Sequence, residues 1–226
     1  MKLILLPGMD GTGLMFRPFV DIAGNHSIDV ISYPNEASQK YSNLLGYVKD
    51  RLPRDEDFIV IAESYSGPIA YELMKENITN LKAVIFVASF LENPSPVLLS
   101  ILIVLPISLI LRLPVPKFII RRYLLGSDAT DRLIAEFKTA LSKVSPAVLA
   151  SRLKEISGLK RPDKTVNYPC CYIRAEEDKL VTSKSIEAFR RVIPNIHIRS
   201  VNGPHFLLQS RPEECFKVIN EEISNI

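Results

Sequence analysis

Three short stretches carry residues whose types and spacing could do chemistry together. IAESYSGPIA (61–70) holds Ser64 and Ser66 on either side of Tyr65. LPGMDGTG (6–13) contains Gly8, Gly11 and Gly13. VNGPHFLLQSRPEEC (201–215) contains His205, one of only three histidines. A serine hydroxyl is a weak nucleophile unless a base takes its proton. One way to expose it is a sharp strand-to-helix turn, which demands small residues two before and two after the serine. For Ser64 those neighbours are Ala62 and Ser66, with Gly67 next; for Ser66 they would be Ser64 and Pro68, and the strand would end too early. Ser64 is therefore the candidate nucleophile. The glycine stretch lacks the lysine of a P-loop, and Phe16 breaks a G-x-G-x-x-G pattern, which argues against a phosphate cradle. His197 lies in an alternating run and His26 in a polar turn, so both read as structural. That leaves His205 as the candidate base.

These residues need elements to position them. Apolar runs of strand length recur at 2–6, 28–33, 58–62, 83–88, 170–175 and 196–201. Several are apolar throughout, as in strands of a parallel sheet covered on both faces. Helical patterns fall at 41–52, 68–77, 183–193 and 212–226, with Pro212 suited to a first helical turn. The alternation predicts an α/β sheet with right-handed crossovers. On that reading Ser64 ends one strand, and His205 follows the last, over the carboxyl ends where such sites collect. The acid that would orient the imidazole has four candidates: Glu176, Glu177 and Asp178 after the run at 170–175, and Glu92 after the run at 83–88.

Residues 90–166 break the pattern. They contain no comparable strand, read as mostly helical, and are interrupted by Pro94, Pro96, Pro106, Pro114 and Pro116. No charge occurs from Asn93 through Leu111, a length at the lower bound of the ~17–25 residues of a membrane-spanning helix. Pro106 near its centre favours a hydrophobic lid instead. The lid segment carries 12 Lys/Arg against 6 Asp/Glu, in a chain of net charge +3. That imbalance suggests an anionic partner, and an apolar face with a basic flank could also rest on a membrane surface.

The chain resembles the α/β-hydrolase superfamily in the motif A62-E63-S64-Y65-S66, in the glycine-rich LPGMDGTG after the first strand, and in the signature GPHFLLQSRPEE. Its usual elbow is G-x-S-x-G, and both glycines are replaced here by other small residues. The resemblance implies a mostly parallel six-stranded sheet flanked by helices, with core residues 1–89 and 167–226 and an inserted helical lid at 90–166. It implies a compact version that starts at the oxyanion strand. It implies that Met9 and Tyr65 supply the backbone N–H groups of an oxyanion hole, with Asp10 bracing the loop. It singles out Asp178, which opens the form D-x-x-V as Asp178-Lys179-Leu180-Val181, and so gives the order Ser64, Asp178, His205.

The expected activity is hydrolysis of a carboxylic ester with an apolar acyl chain through a Ser64 acyl-enzyme. The Glu63-Ser64 pairing and LPGMDGTG are similar to bacterial carboxylesterases and to the core of plastid ester synthases. Enzymes that cleave the methyl ester of a pimeloyl chain on acyl carrier protein are also similar, which would make Arg112, Lys117, Arg121 and Arg122 a partner-binding basic face. Acyl transfer, lipase-like action at a membrane surface, and a silent ligand-binding hydrolase fold are the alternatives. No cofactor, metal cluster or nucleic-acid partner is expected. Cys170, Cys171 and Cys215 read as buried free thiols of a reducing compartment, and no secretion signal precedes Pro7, so a cytoplasmic location is expected.

Overall fold

The computed structural model describes residues 1–24, 26–36, 38–95 and 115–224. The apolar run at 97–111 and Arg112 lie outside the described residues.

Six strands form one sheet: β1 (Lys2–Leu6), β2 (Ile28–Val30), β3 (Phe58–Glu63), β4 (Leu81–Val87), β5 (Cys170–Ala175) and β6 (His197–Val201). Their order is β2-β1-β3-β4-β5-β6, and every pairing is parallel. Each of the six apolar runs is a strand, although β2 ends at Val30 rather than 33 and β4 starts earlier, at Leu81. Beyond Val30 the chain turns to meet the glycine loop, where Tyr33 N–H donates to the Gly11 carbonyl at 2.7 Å.

Alternation along the strands explains why these runs are apolar throughout. Ile4, Leu6, Val60, Ala62, Val84 and Phe86 point to one face, under α2 (Tyr41–Lys49), α3 (Gly67–Lys75) and α7 (Lys184–Val192). Leu3, Leu5, Ile59, Ile61, Ile85 and Val87 point to the other, under α1 (Arg17–Ile22), α8 (Leu207–Ser210) and α9 (Pro212–Ile223). Each Val, Leu, Ile or Phe side chain among them contributes ~1.5–3 kcal/mol when fully buried, and neither face tolerates a polar residue without a partner.

Between β4 and β5 the described chain is helical, as the missing strand pattern predicts. A short α4 (Lys117–Ile120) runs into a π-helical turn at Arg121–Leu125, followed by α5 (Asp131–Ser142) and α6 (Pro146–Ser157). Thr130 and Ser145 cap α5 and α6 by accepting from Leu133 N–H and Val148 N–H. Ile120, Leu125, Ile134 and Phe137 form a small separate core beside Phe206. Among the described residues, no helix is long and apolar enough to cross a membrane.

Candidate active site

Ser64 sits where β3 ends and a 3-10 turn (Ser64–Ser66) leads into α3. Its φ is +47°, the left-handed region that a residue with a Cβ occupies only under constraint. Two contacts supply that constraint. The Ser89 hydroxyl donates to the Ser64 carbonyl at 2.7 Å. Gly67 lets the turn press against the end of β4, since a Cβ there would lie 2.2 Å from Ser89 Oγ and 2.5 Å from the Phe90 carbonyl. The residue that must be glycine is thus Gly67, one position beyond the second glycine of the usual elbow.

Ser66 is taken up differently. Its hydroxyl donates to the Pro7 carbonyl and bonds the Tyr33 hydroxyl, stitching the elbow to the glycine loop. The Ser64 hydroxyl instead faces His205, with Oγ 2.9 Å from Nε2. His205 hangs from the loop after β6, and its Nδ1 lies 2.7 Å from Asp178 Oδ2. The other Asp178 oxygen, Oδ1, accepts from the backbone N–H groups of Leu180 (2.8 Å) and Val181 (2.9 Å). The loop of the acid and that of the base are joined, because Glu177 N–H donates to the Gly203 carbonyl at 2.9 Å.

The remaining candidate acids lie elsewhere. Glu92 pairs with Arg191 at 3.1 Å, and Glu176 lies 3.6 Å from Arg174. Glu177 is exposed. His197 bonds Glu222, and His26 packs edge-on against Phe216. All three cysteines are free and buried, and burial pushes their thiols up.

The glycine loop lies against Ser64: a Cβ on Gly8 would be 3.8 Å from Ser64 Cβ. Met9 and Tyr65 line the same cavity as Ser64 and His205. Asp10 Oδ2 accepts from both the backbone N–H (3.0 Å) and the hydroxyl of Thr12, closing a local turn. The cavity has a volume of about 260 Å³ and an almost wholly apolar wall, to which Leu149, Leu153 and Ile156 of α6 and Phe137 and Leu141 of α5 contribute.

Glu63, immediately before the serine, is buried below it. Its Oε2 accepts from Gln209 at 3.2 Å, while Oε1 has no partner among the described residues. Burial pushes its carboxyl up to about 7, against the pull of Gln209 and of the His205 charge. For His205, burial alone would lower the imidazole, but the charge and hydrogen bond of Asp178, with the Glu63 charge, outweigh it and raise it above its ordinary 6.5.

Glu63→Gln therefore has two expected consequences. Without the Glu63 charge His205 loses a proton more readily, so the acidic limb of the rate–pH profile moves to lower pH. The folded-state value of Glu63 exceeds the ordinary 4.5, so the folded protein holds a proton that the unfolded chain releases. Wild-type stability then falls as pH rises from about 4.5 to about 7, a loss on the order of 3 kcal/mol that the glutamine avoids. Urea unfolding of both proteins at pH 4 and pH 8 checks this, and parallel stabilities would reject it.

Sequence reading missed Arg152, which it counted among the surface charges of the lid. Arg152 is fully buried and its guanidinium holds the glycine loop. The signal was there, because Arg152 occupies a position in the apolar stripe Val148, Leu149, Leu153, Ile156 of α6. Of the basic face proposed for a partner, Lys117 and Arg121 both pair with Asp131, at 3.0 and 3.1 Å, and Arg121 also donates to the Ala129 carbonyl. The Arg122 guanidinium lies 5.5 Å from the centre of the Tyr123 ring. Among the described residues, no group of three or more His, Cys, Asp or Glu could hold a metal ion.

No protein-family model and no curated protein matches the chain. Solved structures do. It is similar to MenH from S. aureus (TM-score 0.80, 12% identity, 100% of this chain and 94% of that one). It is similar to a lipase-esterase related protein from Clostridium acetobutylicum ATCC 824 (TM-score 0.79, 13% identity, 97% and 93% covered). It is also similar to the enol-lactonase from Burkholderia xenovorans LB400 (TM-score 0.78, 12% identity, 99% and 91% covered). At such identities the likeness concerns the fold.

Proposed function

Because the chain has the α/β-hydrolase fold, we propose that it hydrolyses a carboxylic ester with an apolar acyl chain, through an acyl-enzyme on Ser64. The observation that carries this reading is the relay Ser64 Oγ–His205 Nε2 (2.9 Å) and His205 Nδ1–Asp178 Oδ2 (2.7 Å), opening into an apolar cavity.

In the first half-reaction His205 takes the Ser64 proton as Oγ attacks the ester carbonyl, and Asp178 stabilises the imidazolium that results. The N–H groups of Met9 and Tyr65 receive the negative oxygen; a donor in this role is worth ~2.7–4 kcal/mol. His205 then protonates the departing alkoxide. In the second half-reaction it takes a proton from the water that attacks the acyl-enzyme, and returns it to Ser64 Oγ as the carboxylic acid leaves. The raised His205 basicity suits the first transfer, and the apolar wall suits the acyl chain.

The finer form of the proposal is that the acyl chain arrives on an acidic carrier protein. The excess of Lys/Arg over Asp/Glu between residues 90 and 166 supports it. One experiment tests both levels: rates on p-nitrophenyl esters from C2 to C16 beside a carrier-borne acyl methyl ester at two salt concentrations. Turnover that peaks at an intermediate chain length supports the apolar acyl site, and no turnover of any ester rejects it. A carrier-borne ester with a higher kcat/KM that falls with salt supports the partner; equal values on free and carried esters remove it.

A further inference from the structure

Arg152 lies on α6 with none of its surface exposed, and the other buried side chains of that helix are all apolar. Its Nη1 donates to two successive backbone carbonyls of the glycine loop, Met9 at 2.8 Å and Asp10 at 2.7 Å. Nε donates to Gln39 Oε1 at 2.8 Å, and Nη2 reaches the Pro34 carbonyl at 3.5 Å. The rings of Tyr33 and Tyr65 flank the guanidinium at 5.7 and 6.0 Å. These hydrogen-bond acceptors are all neutral. Burying a cation is costly unless its donors are satisfied, and an aliphatic side chain would fill the same space without that cost. The role of Arg152 is then to be sought in what it holds.

It holds the turn that carries Met9. Within that turn the Gly8 carbonyl accepts from Gly11 N–H at 3.0 Å, which fixes the peptide plane bearing the Met9 N–H. N–H and C=O point in opposite directions across a trans peptide, so orienting a carbonyl orients the amide behind it. Arg152 fixes the next two planes, and the turn can no longer rotate about Met9. Gly11, at φ +69°, makes the approach feasible: a Cβ there would lie 2.3 Å from Arg152 Nη1. The helix that supplies the guanidinium also supplies Leu149, Leu153 and Ile156 to the cavity wall.

Building on the serine-hydrolase reading, we propose that Arg152 is a positioning residue, a clamp from the lid helix that locks the 8–11 turn with the Met9 amide aimed at the oxyanion formed on Ser64. It touches no reacting atom. Its loss leaves the serine, the imidazole and the acyl pocket in place while the oxyanion donor becomes free to rotate.

The test compares wild type with Arg152→Met, which keeps an unbranched apolar stem and removes the donors, and with Arg152→Lys. The lysine keeps the cation but cannot span both carbonyls and Gln39. For p-nitrophenyl butyrate and octanoate alike, the methionine variant is expected to lose roughly 10²-fold in kcat, with KM within about threefold. The lysine variant should fall between. In parallel, backbone hydrogen exchange of residues 8–13 should quicken in the methionine variant while that of β3 stays protected. Exchange at 8–13 equal to wild type overturns the clamp. So does quickened exchange with unchanged kcat, or a loss confined to KM or to one chain length. Should Arg152→Met fail to fold, the lysine variant carries both measurements with the same criteria. A wild type that turns over no ester and takes no fluorophosphonate on Ser64 overturns the hydrolase reading instead, and the exchange measurement then decides the clamp alone.

Discussion

Ser64→Ala is expected to lower kcat on p-nitrophenyl esters by about 10⁴–10⁶-fold, the range seen when one member of such a relay is removed. Ser64 is 8% exposed, and its side chain faces His205 rather than the elbow's own bonds. The constraints that hold the φ of +47° run through its carbonyl and through Gly67, and neither changes with alanine. The fold should survive, at a cost of no more than about 1–3 kcal/mol for the partner taken from the imidazole. His205→Ala should be as severe, and the double variant no worse than either single one, because the two act as one unit. Steady-state rates beside circular dichroism spectra check this. Activity within a hundredfold of wild type in Ser64→Ala would reject the nucleophile, and losses that multiply in the double variant would reject the relay.

The second large effect is Asp178→Asn, where kcat should fall on the order of 10⁴-fold. The hydrogen bonds around the carboxylate explain why so small a change matters. Oδ1 accepts from two backbone N–H groups, Leu180 and Val181. An asparagine must turn its carbonyl oxygen toward them, which leaves its NH₂ facing His205 Nδ1. Nδ1 is then compelled to accept, the ring proton moves to Nε2, and Nε2 can no longer take the proton of Ser64. The same substitution removes the charge that raises His205, so residual activity should show its acidic limb at lower pH. Glu92→Gln is the comparison: Glu92 pairs with Arg191, and its loss should change the rate less than threefold and the stability by no more than about 1 kcal/mol. A tenth of wild-type activity retained in Asp178→Asn would remove Asp178 from the relay.

How much of this was legible beforehand can be followed through single residues. Five of the apolar runs sit on strands to within a residue or two, because a strand buried on both faces has no polar position to disguise it. The run at 28–33 was overextended: Ile31 N–H still donates to the Leu5 carbonyl of β1 at 3.1 Å, but Tyr33 N–H bonds the Gly11 carbonyl of the glycine loop instead. The short helix α1 was missed; only six residues long and opened by Pro18, it offers less than two turns of periodicity. The size of their neighbours favoured Ser64 over Ser66 as the candidate, and it is the Ser64 hydroxyl that faces His205. What Ser66 does instead could not be read, because its partners Pro7 and Tyr33 lie 59 and 33 residues away. Lys117 and Arg121 read as a free basic face until Asp131, 14 and 10 residues on, was seen between them.

By itself, then, the sequence determined the elements and the cast. Hydrophobic period sets which segments are strands and which are helices, and residue chemistry limits a candidate nucleophile and a candidate base to very few positions. Only the tertiary structure decided which carboxylate meets His205, that Gly67 rather than an elbow glycine takes the close contact, and that Arg152 is interior. Those outcomes depend on distances between residues far apart in the chain, 141 positions for Ser64 and His205 and 143 for Met9 and Arg152. Periodicity reports the environment of a side chain, whereas partnership is set by where the sheet and its crossovers bring two loops together.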